Sequence, residues 1–183
     1  MATKTMFTVA DYIALEEPAC TRHELSDGEL IVTPSPNLFH NILRDDFNAM
    51  LKAFVKSHKL GRVVSEMDFK LLGETVRRPA VAFISFDRLR GVDLEKVPLP
   101  IVPNLVIEIV SKNDQGDDLN LKVSQYLAAG TKAVWLFYPK TRLAYRYISG
   151  KLEPEVRSAD TGQTFEEPEL LLELSIPLKQ IFE

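Results

Sequence analysis

The segment Pro103–Val110 reads PNLVIEIV and is almost wholly apolar. A run of this kind is typical of a central β-strand that is covered on both faces. Glu108 interrupts the run, and an ionised carboxylate on a buried strand is costly unless it is paired or bound to a metal. The segment therefore predicts a buried strand that carries a metal ligand or a general base. The alternative is that Glu108 turns outward at the strand end or pairs with a lysine.

The residues that follow this strand predict a helix over 115–129, because acidic residues favour its first turn and a glycine follows its last residue. Asp118, Lys122 and Tyr126 are spaced four residues apart and therefore share one face of that helix. Lys122 can then point back at Glu108. Taken alone, an Asp–Lys pair at this spacing is more typical of a solvated surface bridge, and only the nearby Glu108 gives it a functional meaning.

The rest of the chain alternates between strand and helix patterns, without an internal repeat. Asp27-Gly28 is a typical tight turn, and residues 38–55 have the apolar spacing of an amphipathic helix. Together the elements predict an α/β (α+β) fold, with a mixed central β-sheet flanked by helices and a helix and hairpin at the N-terminus. The expected elements are a helix from Thr8, a hairpin over 23–32, a helix capped by Asn37, strands over 62–72, 81–86 and 103–110, a hairpin over 132–148, a loop-rich segment 153–169 and a docked C-terminal segment 170–182.

Length and composition are those of one globular domain, residues 1–183. No window approaches the roughly 18 uninterrupted apolar residues of a membrane helix, and the first residues lack the apolar run of a secretory signal. The single cysteine, Cys20, excludes an internal disulfide, which fits a reducing compartment. We therefore expect a cytoplasmic protein with no membrane partner.

The net charge of −4 is unevenly distributed along the chain. Residues 153–183 carry eight acidic and two basic side chains, a net charge of −6, so that the first 152 residues carry +2. A local basic face for phosphates is compatible with this distribution, although the chain has no polybasic arm. Charge alone neither supports nor excludes DNA as a partner.

Eight short motifs, in order and spacing, resemble those of the Uma family, a group of bacterial restriction-endonuclease-like proteins. The resemblance spans about residues 7–182. The motifs are HELSDGE (23–29), PSP (34–36), His40, RPAVAFI (78–84), PNLVIEIVS (103–111), Asp118 with Lys122 and Tyr126, Ala-Gly (129–130) and VWLFYP (134–139).

The resemblance implies a nuclease core of the PD-(D/E)xK superfamily, in which carboxylates on adjacent strands bind Mg²⁺ or Mn²⁺ and DNA phosphodiesters are hydrolysed. By position, Glu108 is the second acid and Glu24 an early acid of the metal site. The usual lysine, two residues after the strand acid, is Val110 here, so its role falls to Lys122, which would stabilise the attacking water or the phosphate. Tyr126 would orient that lysine or touch the substrate backbone.

One position departs from the family pattern, because Ala80 stands where Arg-Pro-Asp would place an aspartate. Losing one of about three carboxylates predicts weak metal binding and slow or absent cleavage. A turn centred near Glu74 would place Asp68 opposite Ala80 as a substitute ligand. The chain is then either an active metal-dependent endonuclease or a non-catalytic DNA-binding or protein-interaction module. A homo-oligomer such as a homodimer, with a structural role only, is a third reading.

Two further positions are candidates for contact with substrate. By its place in the family pattern, His40 lines the cleft, although a lone histidine on a helix is more often a partly buried core residue. Residues 111–113 follow the strand with the carboxylate, where loops often contact phosphate, and Ser111 is the candidate there. Serine and asparagine are equally ordinary at the start of a helix.

Overall fold

The computed structural model describes residues 5–112 and 114–183. None of the helices in these ranges is both long enough and apolar enough to cross a membrane. The helices are α1 (Val9–Ala14), α2 (Leu38–Ser57), α3 (Phe86–Leu89), α4 (Gly116–Ala129) and α5 (Leu178–Phe182). The strands are β1 (Thr21–Ser26), β2 (Glu29–Pro34), β3 (Gly61–Ser65), β4 (Phe69–Lys70), β5 (Val76–Arg77), β6 (Val81–Ser85), β7 (Leu105–Ile109), β8 (Ala133–Tyr138), β9 (Leu143–Ile148), β10 (Glu155–Ser158), β11 (Thr164–Glu167) and β12 (Leu171–Pro177).

The central sheet has six strands in the order β10-β9-β8-β7-β6-β3. The pair β7 and β8 is parallel, and its connection runs through α4, whereas the other neighbouring strands are antiparallel. Every residue of β7 is buried, as expected for a central strand with both faces covered. The predicted mixed sheet flanked by helices is confirmed.

Apolar clusters cover both faces of this sheet. On one face, α2 contributes Leu43, Phe47, Leu51 and Val55 to a cluster that includes strand residues and the C-terminal segment, referred to here as the α2-side cluster. On the other face, α4 contributes Leu119, Val123 and Tyr126 to the α4-side cluster. Residue spacing along both helices accounts for this arrangement, because positions three and four apart lie on one helix face.

A second sheet holds the N-terminal hairpin, in the order β2-β1-β5-β4. Strands β1 and β2 pair around Asp27 and Gly28, both of which have positive φ, so the predicted tight turn is confirmed. Its own apolar cluster is small, with Tyr12, Leu25 and Val76 as the buried members. The position of this sheet therefore depends strongly on contacts outside its own core.

The expected strand over 62–72 is wrong, because the chain forms two strands there that belong to different sheets. Strand β3 ends at Ser65, and the next residue, Glu66, adopts a φ of 55°, a left-handed conformation that interrupts the extended chain. Strand β4 starts only at Phe69.

The register predicted from a turn near Glu74, which placed Asp68 opposite Ala80, is also wrong. Phe69 lies opposite Arg77, and Leu71 donates its backbone N–H to the Thr75 carbonyl at 2.9 Å. The turn is thus centred at Gly73, one residue earlier than expected, which moves the partner of every residue by two positions.

The C-terminal segment contains more regular structure than its polar sequence indicated. Strands β10 and β11 lie within 153–169, which was expected to be rich in loops. Leu171, Leu174 and Leu178 are buried, so the predicted docking of residues 170–182 on the body is confirmed.

A buried ion pair fixes this C-terminal segment to the central sheet. Glu167 is 1% exposed, and Arg146 on β9 donates from Nε and Nη2 to its two carboxylate oxygens at 2.9 and 2.7 Å. Trp135 Nε1 donates to the same carboxylate. The bidentate contact satisfies both oxygens of a side chain that water does not reach.

We expect Glu167→Ala to lower the free energy of unfolding by about 3–5 kcal/mol, because it leaves the Arg146 charge without its buried partner. Urea denaturation followed by circular dichroism measures this change. The matched control is Glu169→Ala, which removes an exposed carboxylate from the same segment and should change stability by less than about 0.5 kcal/mol. Equal effects of the two variants would contradict a structural role for the buried pair.

Candidate functional site

Glu108 faces α4 because of the alternation of side chains along β7. Leu105, Ile107 and Ile109 belong to the α2-side cluster, whereas Val106 belongs to the α4-side cluster. Glu108 follows the same alternation as Val106 and is 8% exposed. A carboxylate is therefore held under α4, close to the C-terminal end of the central strand.

Helix α4 brings a lysine and a tyrosine to this carboxylate. Lys122 Nζ lies 2.9 Å from Glu108 Oε1, and the Tyr126 hydroxyl donates to the same oxygen at 3.1 Å. The spacing of four residues places both side chains on the buried face of the helix. The predicted contact between Lys122 and Glu108 is thus present, and its catalytic role remains a prediction.

Strand β1 brings a second carboxylate to the same lysine. Glu24 Oε1 lies 2.9 Å from Lys122 Nζ and accepts the backbone N–H of Arg78 at 2.7 Å. Its other oxygen, Oε2, accepts a hydrogen bond from Arg77 Nη1 at 3.0 Å. Lys122 therefore bridges Glu24 and Glu108, which come from the two different sheets.

Arg77 is part of this cluster and was not anticipated from the sequence. It is 2% exposed, and besides Glu24 it donates to Gln125 Oε1 at 2.8 and 2.7 Å and to Ser26 Oγ at 2.9 Å. Arginines in short hairpin strands are usually exposed, so the sequence alone carried no signal for this one. Arg77 contacts the Glu24 oxygen that is not in contact with Lys122.

Ala80 lies beside Glu108. Val81 pairs with Ile107 across β6 and β7, so Ala80, the residue before Val81, lies close to Glu108, the residue after Ile107, and both line the same cavity. The family resemblance implies an aspartate at position 80, which is next to the Glu108 carboxylate. Because the residue is alanine, this position supplies no carboxylate.

These residues open onto one cavity of about 520 Å³, the cleft, which has the size of a ligand site. Glu24, Ala80, Glu108 and Lys122 all line it, so their predicted convergence is confirmed.

Two other candidate residues also line this cleft. His40 Nε2 lies 3.1 Å from the Ile109 carbonyl oxygen, and burial lowers the pKa of the imidazole below its usual range. Ser111 donates its backbone N–H to Asp114 at 2.7 Å. Asn113, in the same loop, lies outside the described residues. Contact of His40 or Ser111 with a substrate remains a prediction.

Asp68 does not line the cleft, and the prediction that it lies opposite Ala80 is wrong. Its carboxylate accepts from Arg78 Nε at 2.5 Å and Nη2 at 3.0 Å, and from the Tyr12 hydroxyl at 3.1 Å. It lines a separate cavity of about 230 Å³. The shift in hairpin register explains the error, because it places residue 78 rather than residue 80 beside Asp68.

Tyr126 also departs from its expected role. The side chain is 0% exposed, so it does not reach a substrate in the cleft. Its hydroxyl contacts Glu108 rather than Lys122. Tyr126 therefore positions the acid, not the lysine.

The electrostatics of the cluster favour a charged lysine between the two acids. Burial acts to lower the pKa of Lys122, but the neighbouring Glu108 and Glu24 outweigh it, and the pKa is raised. Burial raises the pKa of Glu108, and Lys122 only partly offsets this effect. Burial also acts on Glu24, but there the charges of Lys122 and Arg77 prevail, and the pKa is lowered.

The residues present do not complete a divalent metal site. Within residues 5–112 and 114–183, no three His, Cys, Asp or Glu side chains are grouped so that they could hold a metal ion. Both Glu24 oxygens accept hydrogen bonds from cationic residues or a backbone N–H, and Ala80 supplies no ligand. Mg²⁺ or Mn²⁺ would have to take carboxylate oxygens that Lys122, Arg77 and the Arg78 backbone N–H already contact.

The mixed sheet flanked by helices is a restriction-endonuclease-like fold. Its central strand carries the Glu108 carboxylate, and the following helix carries Lys122. Residues 9–179 match the model of the Uma2 family, described as "Putative restriction endonuclease". Only the first eight and last four residues lie outside the match. The chain belongs to this family.

A solved structure supports the same fold. The crystal structure of a "putative nuclease belonging to DUF820" from Anabaena variabilis superposes with a TM-score of 0.84, at 21% sequence identity. The match covers 96% of this chain and 97% of that one. At this identity the similarity shows the fold alone. No curated protein matches the sequence.

The opposite pKa directions of the two glutamates predict opposite pH dependence of their contributions to stability. The lowered pKa of Glu24 means that its charge stabilises the fold above the ordinary glutamate pKa, and that this contribution is lost as pH falls through the lowered value. The raised pKa of Glu108 means that its contribution is complete below the ordinary pKa and is lost as pH rises through the raised value.

We therefore expect the stability difference between the unmodified chain and Glu24→Gln to increase from acidic to neutral pH. The difference for Glu108→Gln should decrease over the pH range above the ordinary glutamate pKa. Urea denaturation at a series of pH values measures both, and each isosteric variant is the control for the other. Parallel pH profiles would contradict the assigned pKa directions.

Proposed function

We propose that this chain is a DNA-directed relative of the metal-dependent endonucleases, acting in the cytoplasm as a single domain, and that its cleavage is impaired by Ala80. The observation that carries the proposal is the convergence of Glu24, Glu108 and Lys122 with Ala80 in one cleft. Two carboxylates and the lysine that the resemblance implies are in contact, and the position of the missing acid is beside them.

The cluster has a group that can bind phosphate, but it lacks part of what is needed to activate a water molecule for attack. An ammonium group has three N–H donors, and the two carboxylates use two of those of Lys122. The third can donate to a phosphate oxygen. A divalent metal, Mg²⁺ or Mn²⁺, would supply a nucleophilic water and stabilise charge on the phosphate. Without the acid at position 80 we expect that contribution to be weak.

We expect Ala80→Asp to gain affinity for Mn²⁺ and to nick plasmid DNA, because it restores a carboxylate beside Glu108. Isothermal titration calorimetry measures the affinity, and gel electrophoresis of supercoiled plasmid measures nicking. Ala80→Asn is the matched control, since it has the same shape without the charge. Adding Glu108→Gln to Ala80→Asp should abolish both gains.

Two outcomes would overturn this proposal. In the first, Ala80→Asp folds with an unchanged circular dichroism spectrum but gains neither metal affinity nor nicking. In the second, the unmodified chain already nicks DNA in a reaction that Glu108→Gln abolishes, which would make it an active enzyme.

A second candidate function is DNA binding without cleavage, and the placement of two helices favours it. The N-cap residues of α2 and α4, Asn37 and Gln115, both line the cleft. The N-terminus of a helix attracts phosphate through its unpaired N–H groups and its dipole. Lys112 lines the same cleft and is exposed.

We expect the chain to bind duplex DNA in EDTA with an affinity that falls steeply as salt concentration rises. Fluorescence anisotropy of a labelled oligonucleotide measures it. Lys112→Ala should reduce the slope of log affinity against log salt by about 1, whereas Lys52→Ala, an exposed lysine outside the cleft, should not. Binding that requires Mg²⁺ would contradict this second function.

A further inference from the structure

We propose that Lys122 is the internal counter-ion of Glu24 and Glu108, holding together the two carboxylates that a divalent metal would share. The site of this chain would then be assembled and stable without a metal. The inference rests on the proposed function for the identity of the site, but it concerns the folded protein and does not require cleavage.

The first support is geometric. Lys122 Nζ lies 2.9 Å from one oxygen of each carboxylate. The lysine, Glu24 and Glu108 side chains are 17%, 13% and 11% exposed, so little water competes for these contacts. A cation placed between the two acids would have to share the oxygens that Lys122 already contacts.

The second support is the balance of charge. Glu24 and Glu108 contribute two negative charges, and Lys122 and Arg77 contribute two positive charges through direct contacts. An acid at position 80 would leave one negative charge uncompensated, which would attract a divalent cation. With Ala80 the four contacting groups are already neutral, and the electrostatic attraction for a metal is small.

The third support is the occupancy of the acceptor oxygens. Glu24 uses Oε1 for Lys122 and the backbone N–H of Arg78, and Oε2 for Arg77. Glu108 uses Oε1 for Lys122 and Tyr126. A metal at this site would have to displace charged hydrogen-bond donors rather than water, which makes its binding unfavourable.

The same geometry predicts what happens when the ammonium group is removed. In Lys122→Met the two carboxylates lose the charge between them, and Glu108 in particular has no other cationic contact in the described part of the chain. Glu24 keeps its contact with Arg77, but a buried carboxylate without a counter-charge, as Glu108 then is, requires either a proton or a cation. The variant should therefore acquire a dependence on divalent metal that the unmodified chain lacks.

The test is thermal denaturation in EDTA and in saturating Mg²⁺ or Mn²⁺. For the unmodified chain we expect the same Tm in EDTA and in metal. For Lys122→Met we expect a Tm lower by on the order of 10 °C in EDTA, with most of that loss recovered in metal. Lys52→Met, which removes an exposed lysine on α2, should behave as the unmodified chain.

A second variant tests whether the recovery comes from this site. Glu108→Gln in the Lys122→Met background removes one of the two carboxylates, and metal should then no longer raise the Tm. Recovery that persists in the double variant would place the metal elsewhere and overturn the proposal.

Measurements on the unmodified chain keep the test valid even if Lys122→Met does not fold. A Tm that rises with Mn²⁺ and falls with EDTA, together with a calorimetric binding isotherm that Glu108→Gln abolishes, would show that metal rather than Lys122 neutralises the carboxylates. Failure of the proposed function gives a different result. In that case Ala80→Asp does not nick DNA, but the Tm of the unmodified chain is still the same in EDTA and in metal.

Discussion

The burial of the Glu108 carboxylate in the central strand is the constraint on which the rest of the site depends. A charge on a strand covered on both faces must be compensated, and β7 has no cation of its own. Helix α4 supplies the compensation through Lys122 and Tyr126, one turn apart. The side that α4 turns to the sheet is therefore set by this one residue together with the apolar side chains Leu119 and Val123.

The same contact joins the two sheets. The N-terminal sheet has only a small apolar cluster of its own, and Glu24 connects it through Lys122 to the central sheet. Arg77 strengthens the connection from within the hairpin, through Gln125 of α4. The attraction in such buried ion pairs must offset the loss of hydration, so the contacts link the two sheets without adding much net stability. The two sheets are thus joined at the cleft by charged contacts, in addition to the apolar packing of Phe69 against the central sheet.

The part of the site that the sequence could predict is the part that is local along the chain. Glu108 and Lys122 are 14 residues apart, on a strand and the helix directly after it, so the regular geometry of each element sufficed. Glu24 was placed by resemblance rather than by spacing.

Pairing between distant segments was harder to predict. The failure at Asp68 came from a turn centred one residue away from the expected position, which exchanges one partner for another two residues along. Arg77 was missed because burial of an arginine depends on several distant partners at once.

Ala80 shows how one side chain changes what the cleft requires. The alanine is 3% exposed and belongs to the α2-side cluster, so it packs as a small apolar residue at the edge of a polar site. An aspartate there would add a third carboxylate beside Glu108 and a repulsion that a bound cation would have to relieve. With alanine the repulsion is absent and the ion pairs are complete without a cation. Stability and metal-assisted chemistry thus place opposite demands on this position, and the residue present satisfies the demand for stability.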